Sequence, residues 1–257
     1  MPDGKGARPL RVAFFSGNYN YVKDGANQAL NLLVARMEAR GIETRVYSPV
    51  VEPPAFQPQG TLIGVPSLPI PGRMEYRLAL GLPRAARRDL AAFGPDLIHL
   101  AAPDWLGHKA KRWGQVHAVP VVASVHTRFE TYFDYYGLGF VRRAAERLLR
   151  NFYGDLAEIY APTEGVAEML RQQGFSSRAG VWSRGVDRGV FHPGARDLCW
   201  RRQLGIADDE PVIGFVGRLV LEKGLKVVAA TMAELSRRGV PHRLLVVGDG
   251  PARAEFE

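Results

Sequence analysis

Short, almost wholly apolar runs that recur between amphipathic helical stretches constrain this chain more than any other feature. Arg11-Val-Ala-Phe-Phe-Ser16 and Val119–Val125 lack the alternation of a strand with one wet face. They read as strands covered on both sides, the mark of a parallel sheet. After the first run comes a polar loop through Gly25, then a helix with Leu30, Leu33, Val34 and Met37 at helical spacing, closed by Gly41. Further strands are expected at Glu43–Ser48, Asp96–Leu100 and Glu158–Pro162, and further helices at Trp105–His117, Arg142–Phe152 and from Thr163 to near Gly174. In the Arg142–Phe152 helix the stripe Val141, Ala145, Leu148 and Phe152 is expected to face inward, with Arg143, Arg147 and Arg150 opposite. Residues 51–75, rich in Pro and Gly, are expected to form a long loop, and 76–93 a basic helix.

This βα repeat predicts an α/β fold with a doubly wound parallel sheet. The stretch Ser183–Gly194 breaks the repeat, which then starts afresh: helix Asp197–Leu204, strand 211–216, helix 225–238, strand 243–247. The expected organisation is a first domain over 1–182, a linker over 183–196 and the start of a second domain over 197–257. A two-stranded parallel sheet cannot bury its own faces, so the first domain is expected to be complete and the second only partly present.

Composition narrows the class. With 46% hydrophobic and 23% charged residues the chain is expected to be globular. The net charge of +8 would suit nucleic acid, but the arginines are spread through every segment and no basic block of five or more occurs, so no nucleic-acid partner is expected. The single cysteine, Cys199, rules out an intrachain disulfide and a Cys-based zinc site. The start of the chain does not read as a signal peptide and no apolar run approaches the span of a bilayer. The expectation is a cytoplasmic protein, at most peripheral on the inner face of the plasma membrane. The basic helices near 76–93 and 142–150 read either as contacts to anionic lipid or as solvated faces.

Ligands in open parallel sheets bind beyond the carboxyl ends of the strands, so the residues there carry the functional reading. Strand 211–216 runs into Gly217-Arg218, and Lys223-Gly224 opens the next helix. Two cations five positions apart, beside a glycine turn and a helix N-terminus, make a socket for concentrated negative charge such as a nucleotide diphosphate. A solvated βα turn is the competing reading. After the first strand no G-x-G-x-x-G occurs, yet Gly25 at the helix start can present its backbone to a phosphate, or serve as a turn glycine. His126 follows the apolar strand ending at Val125, and the loop after it holds Tyr132, Phe133, Tyr135 and Tyr136, which suits stacking on a sugar, contact with lipid chains or capping of the core. His99, His108 and His117 read as structural or surface residues. Glu222 is assigned no role. No Asp-x-Asp occurs, so no metal is expected and Arg and Lys must neutralise the diphosphate.

Taken together, Trp182-Ser-Arg-Gly-Val-Asp-Arg-Gly-Val-Phe-His-Pro193, Val216-Gly-Arg-Leu-Val-Leu-Glu-Lys-Gly224 and Val247-Gly-Asp-Gly-Pro251 resemble the retaining glycosyltransferases of the GT-B fold, family four. His99-Leu-Ala-Ala-Pro103 and Val125-His-Thr-Arg-Phe-Glu-Thr-Tyr132 are similar to the branch holding sulfoquinovosyl diacylglycerol synthases and GDP-mannose-dependent mannosyltransferases. The resemblance implies two Rossmann-like doubly wound domains facing each other, the first on the acceptor side and the second holding a UDP- or GDP-sugar. It implies that Arg218 and Lys223 grip the donor diphosphate, that Gly25 is the first-domain glycine near that phosphate, and that His126 lies at the transferred sugar. Tyr21 and Tyr132 fall on the acceptor side. The implied reaction is sugar transfer to a lipid or glycan acceptor with retention, by attack on the face the leaving group vacates. A Glu-x7-Glu element follows Gly-Asp-Gly-Pro in the family and is not reached by residue 257, so this stretch by itself is expected to bind donor poorly and catalyse little. The rival expectations are a GT-B sugar-nucleotide epimerase or phosphorylase, and an inactive binding module.

Overall fold

The computed structural model describes residues 8–70, 73–126, 142–175, 178–220 and 223–256. They divide into two compact units, one reaching Gly185 and the other beginning at Val186.

The first unit is built on seven strands: β1 (Arg11–Phe15), β2 (Glu43–Ser48), β3 (Thr61–Gly64), β6 (Leu97–Leu100), β7 (Val121–Ser124), β8 (Glu158–Ala161) and β9 (Ala179–Val181). They form one sheet in the order β3-β2-β1-β6-β7-β8-β9, and every pairing is parallel. The apolar run of β1 explains its central place. Val12 and Phe14 face one layer, with Leu30 and Val34 of helix α1 (Gly25–Glu38); Ala13 and Phe15 face the other. That second layer holds Leu90 and Phe93 of α2 (Arg84–Phe93), Leu106 and Ala110 of α3 (Trp105–Val116), and Phe152 of α4 (Arg142–Tyr153). Side chains that alternate along a strand and find an apolar partner on both faces are what a doubly covered sheet requires. Helix α5 (Glu164–Gln172) then leads to β9, and Thr163 caps it by accepting a hydrogen bond from the Val166 amide.

Three local expectations fail. Residues 51–75 are not a long loop: β3 joins the main sheet, and β4 (Ser67–Ile70) pairs antiparallel with β5 (Arg73–Ala79) as a separate hairpin. Pro69 is tolerated because the hairpin has only two strands, each an edge. The basic helix does not span 76–93 but begins at Arg84, after Pro83, because residues up to Ala79 are committed to the hairpin. In α4 the inward residues are Leu149, Phe152 and Tyr153, while Leu148 is 62% exposed, so the apolar stripe is rotated from the expected one. Strand β9 carried no apolar signal beyond Ala179-Gly-Val181.

The second unit contains α6 (Leu198–Gln203), β10 (Val212–Val216), α7 (Leu225–Arg237), β11 (Arg243–Val247) and a final turn of helix, α8 (Arg253–Phe256). Strands β10 and β11 pair in parallel. Leu219, Leu225 and Ala252 form its small buried cluster, with Phe215, Val246 and Phe256 packed against it.

Candidate active site

In the first unit the strand order reverses between β1 and β6, and the loops beyond their carboxyl ends form the crevice where open α/β sheets bind ligands. The β1–α1 loop is tied down by its own polar side chains. Ser16 Oγ donates to the Asn18 carbonyl (2.6 Å), Asn18 Nδ2 to Asp24 Oδ2 (3.3 Å), and Asn31 Nδ2 to the Tyr19 carbonyl (3.0 Å). Asp24 caps α1 by accepting from the Asn27 amide at 2.8 Å. Gly25 is therefore the first residue of a capped helix, and a Cβ there would meet nothing within 4 Å. Among the described residues no contact requires glycine at this position. Tyr21 donates its hydroxyl to the Gly17 carbonyl and accepts from the Arg77 amide at 3.3 Å, so it struts the loop against β5; burial pushes its pKa up to about 12.

Asp104, after β6, caps α3 by accepting from the Gly107 amide at 2.7 Å. Its other oxygen sits where a side chain on Gly17 would go. Burial pushes its carboxyl up to about 6, against the pull of the α3 amides.

His126 lies just past β7. Its Nε2 is 2.7 Å from Ser124 Oγ, and the same oxygen is 3.0 Å from His99 Nε2. Both rings stand nearly perpendicular to Trp182, at centroid distances of 5.6 Å from His126 and 6.3 Å from His99, and His99 also packs on Phe14 at 5.0 Å. Burial holds His99 down at about 3, and burial together with the charge of Arg184 holds His126 at about 4. Both imidazoles are neutral at physiological pH. Arg184 is half-buried at φ 53°, a left-handed conformation that non-glycine residues seldom adopt, and its guanidinium also feels Asp24.

The first unit thus brings His126, Gly25 and Tyr21 to the carboxyl edge of one sheet. Sequence reasoning set His99 apart as structural, whereas it shares a hydrogen-bond chain with His126. Ser124, Asp104 and Arg184 were missed. An aspartate four positions past a strand end and just before a helix is a legible cap signal; a serine inside a strand carries none. Tyr132, Glu222 and the aromatic loop Phe129–Phe140 lie outside the described residues.

In the second unit Arg218 and Lys223 are both exposed, on the connection between β10 and α7. Gly224 caps α7 at φ 72°. The loops after β10 and β11 run backbone to backbone: Gly217 N donates to the Val247 carbonyl (3.0 Å), Leu219 N to Asp249 (2.9 Å) and Ala252 N to Leu219 (3.0 Å). A side chain on Gly248 or Gly250 would collide with the carbonyls of Gly217 and Leu219. The glycines of Gly248-Asp-Gly250 are thereby explained: they let the second loop brace the one that carries Arg218.

Among the described residues no group of three or more His, Cys, Asp or Glu is placed to hold a metal ion, and no helix is long and apolar enough to cross a membrane.

Comparison with known proteins adds to this geometry. The family model described as Glycosyltransferase Family 4 matches residues 23–189, and that described as Glycosyl transferases group 1 matches 199–257. The chain is 32% identical over 256 residues to a GDP-mannose-dependent alpha-mannosyltransferase of Mycobacterium tuberculosis, covering 96% of this chain and 65% of that protein. It is 25% identical over 256 residues to the sulfoquinovosyl transferase SQD2 of Arabidopsis thaliana, covering 98% of this chain and 49% of that one. Among solved structures it matches sucrose-phosphate synthase from Thermosynechococcus elongatus with a TM-score of 0.71 at 18% identity, over 96% of this chain and 65% of that one. It also matches the catalytic domain of starch synthase IV from Arabidopsis thaliana, solved with ADP and acarbose, with a TM-score of 0.62 at 13% identity, over 96% and 71% of the two chains. These structural likenesses speak for the fold, which is GT-B, α/β with Rossmann-like units. The chain spans 65% of the length of the mycobacterial mannosyltransferase.

Proposed function

Because the chain belongs to glycosyltransferase family 4, we propose that the protein moves a sugar from a nucleoside diphosphate donor to a lipid or glycan acceptor, with retention of configuration. The observation that carries this reading is the exposed pair Arg218 and Lys223 on a glycine-braced loop at the carboxyl end of a parallel strand. As the anomeric bond lengthens, negative charge grows on the departing diphosphate. Fixed cations stabilise it more in the transition state than in the ground state, and that difference is what accelerates the reaction. Arg218 supplies a planar fork suited to phosphate oxygens, and Lys223 a point charge. Gly25, the first residue of a capped helix, is the first-unit position suited to offer its backbone to a phosphate. His126, neutral and at a sheet edge, hydrogen-bonds the transferred sugar. Tyr21 and Tyr132 belong to the acceptor side, Tyr21 by bracing the loop that the acceptor meets.

Two relatives named GDP-mannose-dependent alpha-mannosyltransferase, at 32% and 31% identity, make GDP-mannose the first donor to test. Relatives named as alpha-monoglucosyldiacylglycerol synthases support a lipid acceptor. A peripheral, cytoplasmic-face location follows from that acceptor class and from the arginines of α2 and α4. The test is incorporation of labelled sugar from GDP-mannose, and from UDP-glucose in parallel, into a bacterial lipid extract, with the anomeric configuration of the product read by NMR. An α-linked product supports the proposal; a β-linked product removes retention, and release of sugar isomerised without any acceptor sinks the transferase reading.

A further inference from the structure

His99, Ser124 and His126 form a hydrogen-bond chain whose polarity is fixed by one hydroxyl. Ser124 Oγ carries a single proton, so it can donate to only one of the two imidazoles and must accept from the other. The two rings therefore hold complementary tautomers. An O–H donor sits closer to its acceptor than an N–H donor does, near 2.7–2.8 Å against roughly 2.9–3.0 Å. The Ser124–His126 separation is 2.7 Å and the Ser124–His99 separation is 3.0 Å. The shorter contact suits Ser124 as donor to His126 Nε2, with His99 Nε2–H donating to Ser124.

We propose that His99 and Ser124 are positioning residues that hold His126 as its Nδ1–H tautomer, so that its imidazole presents a hydrogen-bond donor, not an acceptor, to an oxygen of the sugar being transferred. The inference deepens the reading of His126 as the sugar-facing residue and rests on it for the identity of the ligand. The free end of the chain agrees: His126 Nδ1 is buried and has no hydrogen-bond partner among the described residues. A buried N–H left unmatched costs free energy until an acceptor arrives, and the sugar's hydroxyl or ring oxygens are acceptors of the right kind. The tautomer argument requires uncharged rings, and burial keeps both neutral at physiological pH. Phe14 and Trp182 fix the orientations, Phe14 packing against His99 and Trp182 standing nearly perpendicular to both imidazoles. Neutral histidine in water prefers the Nε2–H form, so a side chain locked as Nδ1–H is distinguishable from one left to itself.

The experiment is a long-range ¹H–¹⁵N correlation spectrum of the ¹⁵N-labelled protein near neutral pH without donor. The chain has six histidines, and the His126 signal is assigned from the His126→Gln spectrum. The expected result is a protonated Nδ1 and an unprotonated, hydrogen-bonded Nε2 for His126, with the opposite arrangement at His99 Nε2. Ser124→Ala should release the tautomer towards Nε2–H, and Ser124→Thr, which keeps the hydroxyl, should restore it. In donor turnover, Ser124→Ala should lower kcat roughly 3- to 10-fold, the worth of one hydrogen bond, with Thr recovering most of the loss. An Nε2–H tautomer at His126 in the unsubstituted protein overturns the proposal without any variant having to fold. So does an unchanged tautomer in Ser124→Ala. If the tautomer behaves as described but His126→Gln leaves turnover intact, the chain stands and the reading of His126 as sugar-facing fails instead.

Discussion

In the first unit His126 reaches the sheet edge through a buried chain of polar side chains, backed by two apolar layers. In the second, Arg218 and Lys223 stand exposed on a loop held by backbone-to-backbone contact. The first unit buries Phe14, Phe15, Ile98, Leu100 and Ile159 almost fully, whereas Val216 and Val227 of the second are 79% and 70% exposed. The difference teaches where each kind of chemistry tolerates change. A neutral hydrogen-bonding group needs a dry, rigid surround to keep its tautomer and protonation state. Cations that meet a diphosphate need only a stiff loop and access, and glycine at the right positions supplies the stiffness.

The contrast can be broken by mutation. Phe15→Ala removes a ring from the centre of the seven-stranded sheet and should cost about 3–5 kcal/mol, read as faster amide exchange along β1 and β6. Protection that stays unchanged would deny the first unit its layered core. Gly248→Ala drives a methyl into the Gly217 carbonyl and should destabilise the second unit by at least about 2 kcal/mol, with exchange rising in β10 and β11 only. If Gly248→Ala is silent, the bracing between the two loops is not what shapes the Arg218 loop.

The pH response sharpens the same contrast. The folded pKa values of His99 and His126 lie at about 3 and about 4, below the usual 6.5. The stability these rings contribute is thus present above pH 6.5 and lost as pH falls towards those values. Asp104 acts in the opposite sense: its carboxyl is raised from 3.8 to about 6, so its contribution is present below 3.8 and lost as pH rises through 6. His99→Phe should move the acid unfolding midpoint of the first unit down by about one pH unit, followed by far-UV circular dichroism. A midpoint that stays put would mean His99 is protonated in the folded state. The smallest effect is expected from Val227→Ser on the exposed face of α7, within about 0.5 kcal/mol. A larger loss would reveal a partner for that face.

The strands buried on both faces were legible because a continuous apolar run has few other uses. The hairpin Ser67–Ala79 was not, because Pro69 and the charges of β5 look like loop and helix once two-sided burial no longer imposes a pattern. Pro83 would have marked the true helix start. Of the candidate site, Arg218, Lys223, Gly25 and His126 were proposed from glycine turns and strand ends. Ser124 and His99 could not be, since their pairing depends on β6 and β7 being neighbours in register, with His99 opposite Val122 and Leu100 opposite Ala123. Arg184 was hidden for a different reason: its backbone conformation is a property of the folded turn, not of residue type.

The central claim is that the loop of Arg218 and Lys223 holds the diphosphate of a sugar nucleotide. Its most direct test is sugar transfer from GDP-mannose by the double variant Arg218→Ala, Lys223→Ala, beside the unsubstituted protein, with circular dichroism confirming an unchanged fold. The account predicts a fall in kcat/KM of about 100-fold or more, the scale on which removal of transition-state charge stabilisation is felt. Equal turnover by the two proteins, at a level clearly above background, would contradict it.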